Sequence, residues 1–178
     1  MAGLALLSVA PLLSATSSIT FTLSEETFIR PLMHTSATAA ELERRRNVNR
    51  ALPSLMGFTR NGLAIIFTTY PLSIATAAAN LARHDAHVDI SGHAATKPRV
   101  AAAFYLAGLI FSVLHMPFGP GDERRLDQVR KDKGIEGDPA ADNTAIMVSW
   151  LRTNAIRAFV SDIPSWACYF VAFVFAMS

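Results

Sequence analysis

Residues 100–121 read VAAAFYLAGLIFSVLHMPFGPG, a run of 22 positions with no Asp, Glu, Lys or Arg. About 20 consecutive apolar residues suffice for an α-helix to cross the hydrocarbon of a bilayer. The run predicts a membrane helix over 99–117, stopped by the cluster Pro117-Phe118-Gly119-Pro120-Gly121, which is turn chemistry. Three more segments read the same way. Residues 1–24, 61–82 and 163–178 also lack formal charge. They predict spans at 3–23, 61–82 and 144–176. The first carries Pro11 and many Ser and Thr residues, the second Pro71. Hydroxyls of this kind can bond the carbonyls of their own helix. The last segment opens after Asp142-Asn143, a helix-start pair. It is over 30 residues long, or roughly 50 Å at about 1.5 Å per residue. Its first turns should therefore project beyond the membrane, with a kink at Pro164.

The 178-residue chain is 51% hydrophobic and only 17% charged, with mean hydropathy +0.30. These proportions exclude a disordered tail and most soluble folds. A net charge of +2 does not favour a polyanionic partner, so no nucleic acid is expected. The single cysteine, Cys168, cannot form an intramolecular disulfide or a cysteine-based zinc site. It reads as an inert packing thiol. The N-terminal run has no basic flank before it and stays uncharged through Leu23. It reads as a retained helix rather than a cleaved leader.

Topology follows from the loop cations. The loops between spans one and two and between spans three and four hold eleven Lys and Arg, against three in the loop between spans two and three. The two long loops are therefore expected in the cytosol, each with a short interfacial helix, and both termini on the lumenal side. The expected architecture is a single all-α domain over 1–178, a transmembrane four-helix bundle. The endoplasmic reticulum is the expected membrane. Arg44-Arg45-Arg46 reads first as orienting charge; lipid or partner recognition is the alternative.

Polar groups inside membrane helices are costly, so each asks for a role. Trp150, Asn154, Arg157 and Ser161 recur at helical spacing and share one face. Asp162 lies five positions after Arg157, a separation that a regular helix does not stack directly, though side chains of this length can still meet. The cytosolic ends of the four spans gather Glu25, Glu26, Arg30, His34, Arg60, Asn61, His115, Trp150, Asn154 and Arg157. An interhelical pocket with a few placed polar groups is the default site geometry. His115 reads either as a base or as an interfacial histidine. Asn154 and Arg157 read either as a site or as helix glue with a snorkelling guanidinium. His84, His87 and His93 lie in the opposite loop. Their spacing is a weak metal signal, solvated histidines are the simpler reading, and no metal site is assigned. Ala77-Ala78-Ala79 and Ala101-Ala102-Ala103 read as close-packing runs.

Two segments carry a family resemblance: Met116-Pro117-Phe118 through Leu126, and Trp150-Leu151-x-x-Asn154-x-x-Arg157. With four spans in under 200 residues, the chain resembles the small integral-membrane family named after fungal anthrone oxygenases. In that family the last helix commonly opens with Trp, then Asn or His, then Arg. The chain departs from it at Gly119, where the family usually has Thr, and in few aromatics at the start of the second span. The resemblance implies fungal polyketide metabolism and oxidation of an anthrone by dioxygen, without metal or flavin.

On this reading His115 abstracts a proton, while Arg157 and Asn154 hold the enolate oxygen. Trp150 stacks on the planar substrate, and Asn61, Glu25 and Asp162 complete the substrate-binding set. No cofactor is expected; dioxygen is the co-substrate. The partners are a lipophilic small molecule, the bilayer and a second copy of the chain in a homo-oligomer. Two other readings stay open. One is a cofactor-free cyclase or isomerase on a lipophilic polyketide or terpenoid intermediate; the other is a non-catalytic membrane scaffold. A transporter is disfavoured, because four helices without repeats leave little for alternating access.

Overall fold

The computed structural model describes residues 2–33, 38–88, 96–132 and 142–178, with the side chains of 39, 58–60, 84–88 and 96 left aside. Among the described residues it is helical throughout. The helices are α1 (Ala2–Phe28), α2 (Arg30–Met33), α3 (Ala39–Leu55), α4 (Gly57–Val88), α5 (Thr96–Leu114), α6 (Gly119–Lys131), α7 (Asn143–Arg157) and α8 (Ile163–Met177). A 3-10 turn, Met116–Phe118, links α5 to α6, and a π-helical turn, Ala158–Asp162, links α7 to α8. The expected stop at Pro117 is a change of helix type. Pro120 then falls in the first turn of α6, where its missing N–H costs no hydrogen bond.

Among the described residues, four runs are long and apolar enough to span a membrane: Ala2–Met33, Asn61–Arg83, Lys97–Lys131 and Asn143–Met177. Large apolar side chains face outward along them, with Phe67 71% and Phe159 73% exposed. Apolar surface on this scale needs lipid around it, and the chain is an all-α integral membrane protein. Helices α3 and α6 occupy the two long loops, where short helices were expected.

The chain divides into two compact units. The first comprises the described residues of Met1–Thr20, Ile65–Met116 and Arg157–Ser178. Its core holds Ala15, Ala77, Ala101, Tyr105, Tyr169 and Ala172. One alanine of each run, Ala77 and Ala101, is fully buried, as helical periodicity requires. Helices α5 and α8 approach closely at Gly108, where an added Cβ would lie 2.5 Å from the Tyr169 ring. Helix α1 is laced to α4 by hydroxyls: Ser14 donates to the Thr69 carbonyl at 2.6 Å, and Ser73 to the Pro11 carbonyl at 3.1 Å. Pro11 has no N–H to offer the Leu7 carbonyl one turn back. Asn80 Nδ2 fills that acceptor at 2.7 Å.

The second unit comprises the described residues of Phe21–Ala64 and Pro117–Ile156. Its core is built from Ile29, Met33, Leu52, Met56, Leu126, Val129, Met147, Trp150 and Leu151. The Thr38 hydroxyl accepts from the Glu41 amide and caps α3. Asp142 Oδ1 accepts from the Ala145 amide at 2.9 Å and caps α7, while Oδ2 pairs with Arg45 at 2.6 Å. Asn49 of α3 accepts from the Thr144 amide at 3.0 Å. The Asp142-Asn143 start signal is thus realised, and the same residues fasten α7 to α3.

Candidate active site

The sequence places a proline at position 164. Proline offers no N–H to the carbonyl four residues earlier, and its ring crowds that carbonyl. Around it the helix widens into the π-turn Ala158–Asp162, closed by the Ile163 amide donating to the Ala158 carbonyl. A π-turn brings residue i+5 over residue i. Asp162 therefore lies over Arg157, with Arg157 Nε donating to Asp162 Oδ2 at 3.4 Å. The two side chains meet, as their length allows, and the π-turn supplies the stacking that a regular helix would not. The same turn aims Ser161 at the Phe111 carbonyl of α5, to which it donates at 2.7 Å.

Two further groups complete the cluster inside the first unit. His115 Nδ1 lies 3.0 Å from Asp162 Oδ1. Tyr70 of α4 donates its phenolic O–H to the same oxygen at 2.6 Å. The Tyr70 and His115 ring centroids are 3.6 Å apart. All four side chains are buried. A carboxylate only accepts, so the network assigns the hydrogen to Nδ1 and leaves Nε2 as the basic nitrogen. Two charged groups buried together are tolerable when paired and hydrogen-bonded; Asp162 meets that condition with three donors. One turn further along, Ser112 of α5 meets both Ser165 and Tyr169 of α8 at 2.9 Å. The polar seam between these helices thus continues past the cluster.

The second unit holds a separate buried pair. Asn154 Nδ2 donates to Glu25 Oε2 at 3.0 Å, and Asn154 Oδ1 is buried with no hydrogen-bond partner among the described residues. With its N–H turned to Glu25, Asn154 presents an acceptor. Trp150 is buried in the core of the same unit, and Asn61 is exposed at the start of the second span.

Of the residues expected to converge, His115, Arg157 and Asp162 belong to the first unit, and Glu25, Asn154 and Trp150 to the second. Asp162, expected to bind substrate, has both oxygens engaged by protein donors. Tyr70 was not expected. It sits inside an apolar run, and only Pro71 beside it marks the place. His34 and His93 lie outside the described residues, as do the side chains of Arg60, His84 and His87. Among the described residues no cluster of three His, Cys, Asp or Glu side chains could hold a metal ion.

The fold and this cluster define a small membrane-embedded helical protein with a buried, hydrogen-bonded group of titratable side chains. No family profile matches the chain, and no solved structure does. Two curated relatives match over nearly the whole length. The epoxidase gkaX of Penicillium citrinum is 30% identical over 179 residues, covering 98% of this chain and 97% of its own. The epoxidase pydX of an Acremonium species is 29% identical over 176 residues, covering 95% and 93%. The chain belongs to the family of these fungal proteins.

Proposed function

We propose that the protein is an oxygenating enzyme of fungal secondary metabolism that acts on a lipophilic intermediate, with His115 as its base. The observation that carries this reading is the buried His115–Asp162 pair, 3.0 Å apart, with Arg157 on the far oxygen of the carboxylate. A positioned base of this kind removes a proton from a carbon acid, and a buried cation offsets charge that develops nearby. The relatives' names add the product class, an epoxide.

The chemistry balances without an outside reductant when the substrate supplies the electrons. His115 Nε2 takes the proton of an activated C–H, and Arg157 stabilises the enolate. The carbanion adds dioxygen and recovers a proton, giving a hydroperoxide. Transfer of the outer peroxidic oxygen to a neighbouring alkene closes an epoxide and leaves a hydroxyl on the original carbon. Loss of water from the same hydroperoxide would instead leave a ketone, the outcome for an anthrone. The two oxygenations share their first half and need no cofactor. Dioxygen favours apolar surroundings, and both reactants reach a site within the spans through the bilayer. We place the protein in the endoplasmic reticulum with both termini lumenal.

The test supplies membranes carrying the protein with a hydroxylated anthrone and, separately, with an enolisable conjugated polyene ketone, under isotopically labelled dioxygen. Gain of two labelled atoms marks the epoxide route, and exchange of a methylene for a labelled carbonyl the ketone route. An unchanged mass with a new structure would favour a cyclase or isomerase, and full turnover by His115→Ala would remove the base from this reading.

A further inference from the structure

We propose that Tyr70 is the positioning residue of this site: its hydroxyl holds Asp162 in place for His115, and its ring holds the imidazole plane. The inference rests on the reading of His115 as the base. The geometry supplies the argument. Asp162 Oδ1 accepts from Tyr70 at 2.6 Å and faces His115 Nδ1 at 3.0 Å, while Oδ2 faces Arg157 at 3.4 Å. Three side chains therefore compete for one carboxylate: Tyr70 from α4, His115 just after α5, and Arg157 at the end of α7. Arg157 brings a permanent charge, so it exerts the strongest pull. Yet its contact is the longest of the three. The shortest, from Tyr70, holds Oδ1 on the histidine side.

Without that hydroxyl the carboxylate is free to rotate toward the guanidinium. His115 Nδ1 then loses its acceptor and the imidazole its reason to prefer one tautomer. The ring contact acts on the other degree of freedom. At a centroid separation of 3.6 Å and an interplanar angle of 31°, the phenol covers one imidazole face. His115 can then meet a substrate only from its open face or along its Nε2 direction. Tyr70 works through Asp162 and His115.

The test needs no substrate for its first readout. Purified protein in detergent, labelled with nitrogen-15 at histidine, reports the tautomer of His115 through its two ring-nitrogen shifts. The resonances are assigned by their loss in His115→Gln. The wild type should show a protonated Nδ1 and an unprotonated Nε2. Tyr70→Phe keeps the ring and removes the hydroxyl, and should show shifts averaged between tautomers. An unchanged single tautomer in Tyr70→Phe, or a wild type protonated on Nε2, overturns the proposal. If Tyr70→Phe does not fold, Asp162→Asn should give the same averaging, and an unchanged tautomer there overturns the proposal equally.

The second readout is turnover of whichever probe, anthrone or polyene ketone, the wild type oxidises. Tyr70→Phe should lower kcat about tenfold with KM unchanged, less than the about 10²–10⁴ loss expected for removing the base itself. A purely structural tyrosine would lower thermal stability and leave kcat per folded molecule intact, which also overturns the proposal. Full turnover by His115→Ala would defeat the functional reading alone, since the tautomer result stands apart from it.

Discussion

Arg157 and Asp162 are five residues apart and yet face each other, Nε to Oδ2 at 3.4 Å, because the helix between them is a π-turn. The pair is buried, so removing one partner strands the other charge. Asp162→Ala should cost about 3–5 kcal/mol, the usual loss when a buried ion pair is broken. Thermal unfolding in detergent checks this. Asp162→Ala/Arg157→Leu, which removes both charges, should recover much of the loss.

The π-turn itself can be removed. Deleting Val160 takes out the extra residue and returns the helix toward ordinary periodicity. Asp162 then stands four residues after Arg157, the separation an ordinary helix stacks, so the ion pair should persist. The expected result is a protein that still inserts in membranes and keeps the buried pair, read as a thermal midpoint well above that of Asp162→Ala.

His115 and Arg157 should both act on kcat. His115→Ala should lower kcat by about 10²–10⁴, the usual contribution of a positioned base. Arg157→Lys keeps a charge but loses the planar geometry of the guanidinium. It should lower kcat with little change in KM, as loss of an interaction made chiefly in the transition state does. Initial rates across substrate concentrations give kcat and KM for each variant.

Gly108 is a packing constraint. An alanine Cβ there would sit 2.5 Å from the Tyr169 ring, and that ring is fully buried. Gly108→Ala should destabilise by about 1–3 kcal/mol, the range for overpacking a tight core. Its unfolding midpoint should fall, while a Gly3→Ala control, where no described atom beyond its own stretch of helix lies within 4 Å, should be neutral or slightly stabilising.

Asp142 gives an acid-dependent stability. Partial burial pushes its carboxyl up. The Thr144 hydroxyl, the Ala145 amide and Arg45 outweigh that and hold it below the ordinary carboxylate value. A depressed native value means that the ionised form favours the folded state. This contribution is complete above the unfolded value of about 3.9 and is lost as pH falls through the lower folded value. The side chain is 46% exposed, so solvent and salt screen the effect. Asp142→Ala should flatten this acid limb and remove a helix cap worth about 0.5–2 kcal/mol at neutral pH. Unfolding midpoints at a series of pH values measure both.

The spans were legible because a bilayer imposes a length that uncharged runs either meet or miss, as residues 100–121 do. His115, Arg157 and Asp162 were legible as residues, since charge within such a run is rare. Their mutual geometry was not. Helical spacing arguments assume 3.6 residues per turn, and the π-turn breaks that assumption where Asp162 sits. Pro164 was visible and read as a kink, but nothing in one sequence tells a bend from a widened turn. Tyr70 was hidden for another reason. An aromatic residue in an apolar span looks like lipid-facing bulk, and its partner lies 92 positions away. Glu25 and Asn154 were both singled out, but a contact across 129 positions has no local signature.

The bond from Asn80 to the Leu7 carbonyl bears on how the chain is made. The first helix leaves the ribosome well before residue 80 is synthesised, carrying an acceptor that Pro11 has left empty. Until α4 arrives, that carbonyl has no donor from α4 and no water in the hydrocarbon to replace one. The nascent α1 is thus incomplete as a lipid-exposed helix, and its stable release into the bilayer awaits the segment that finishes it.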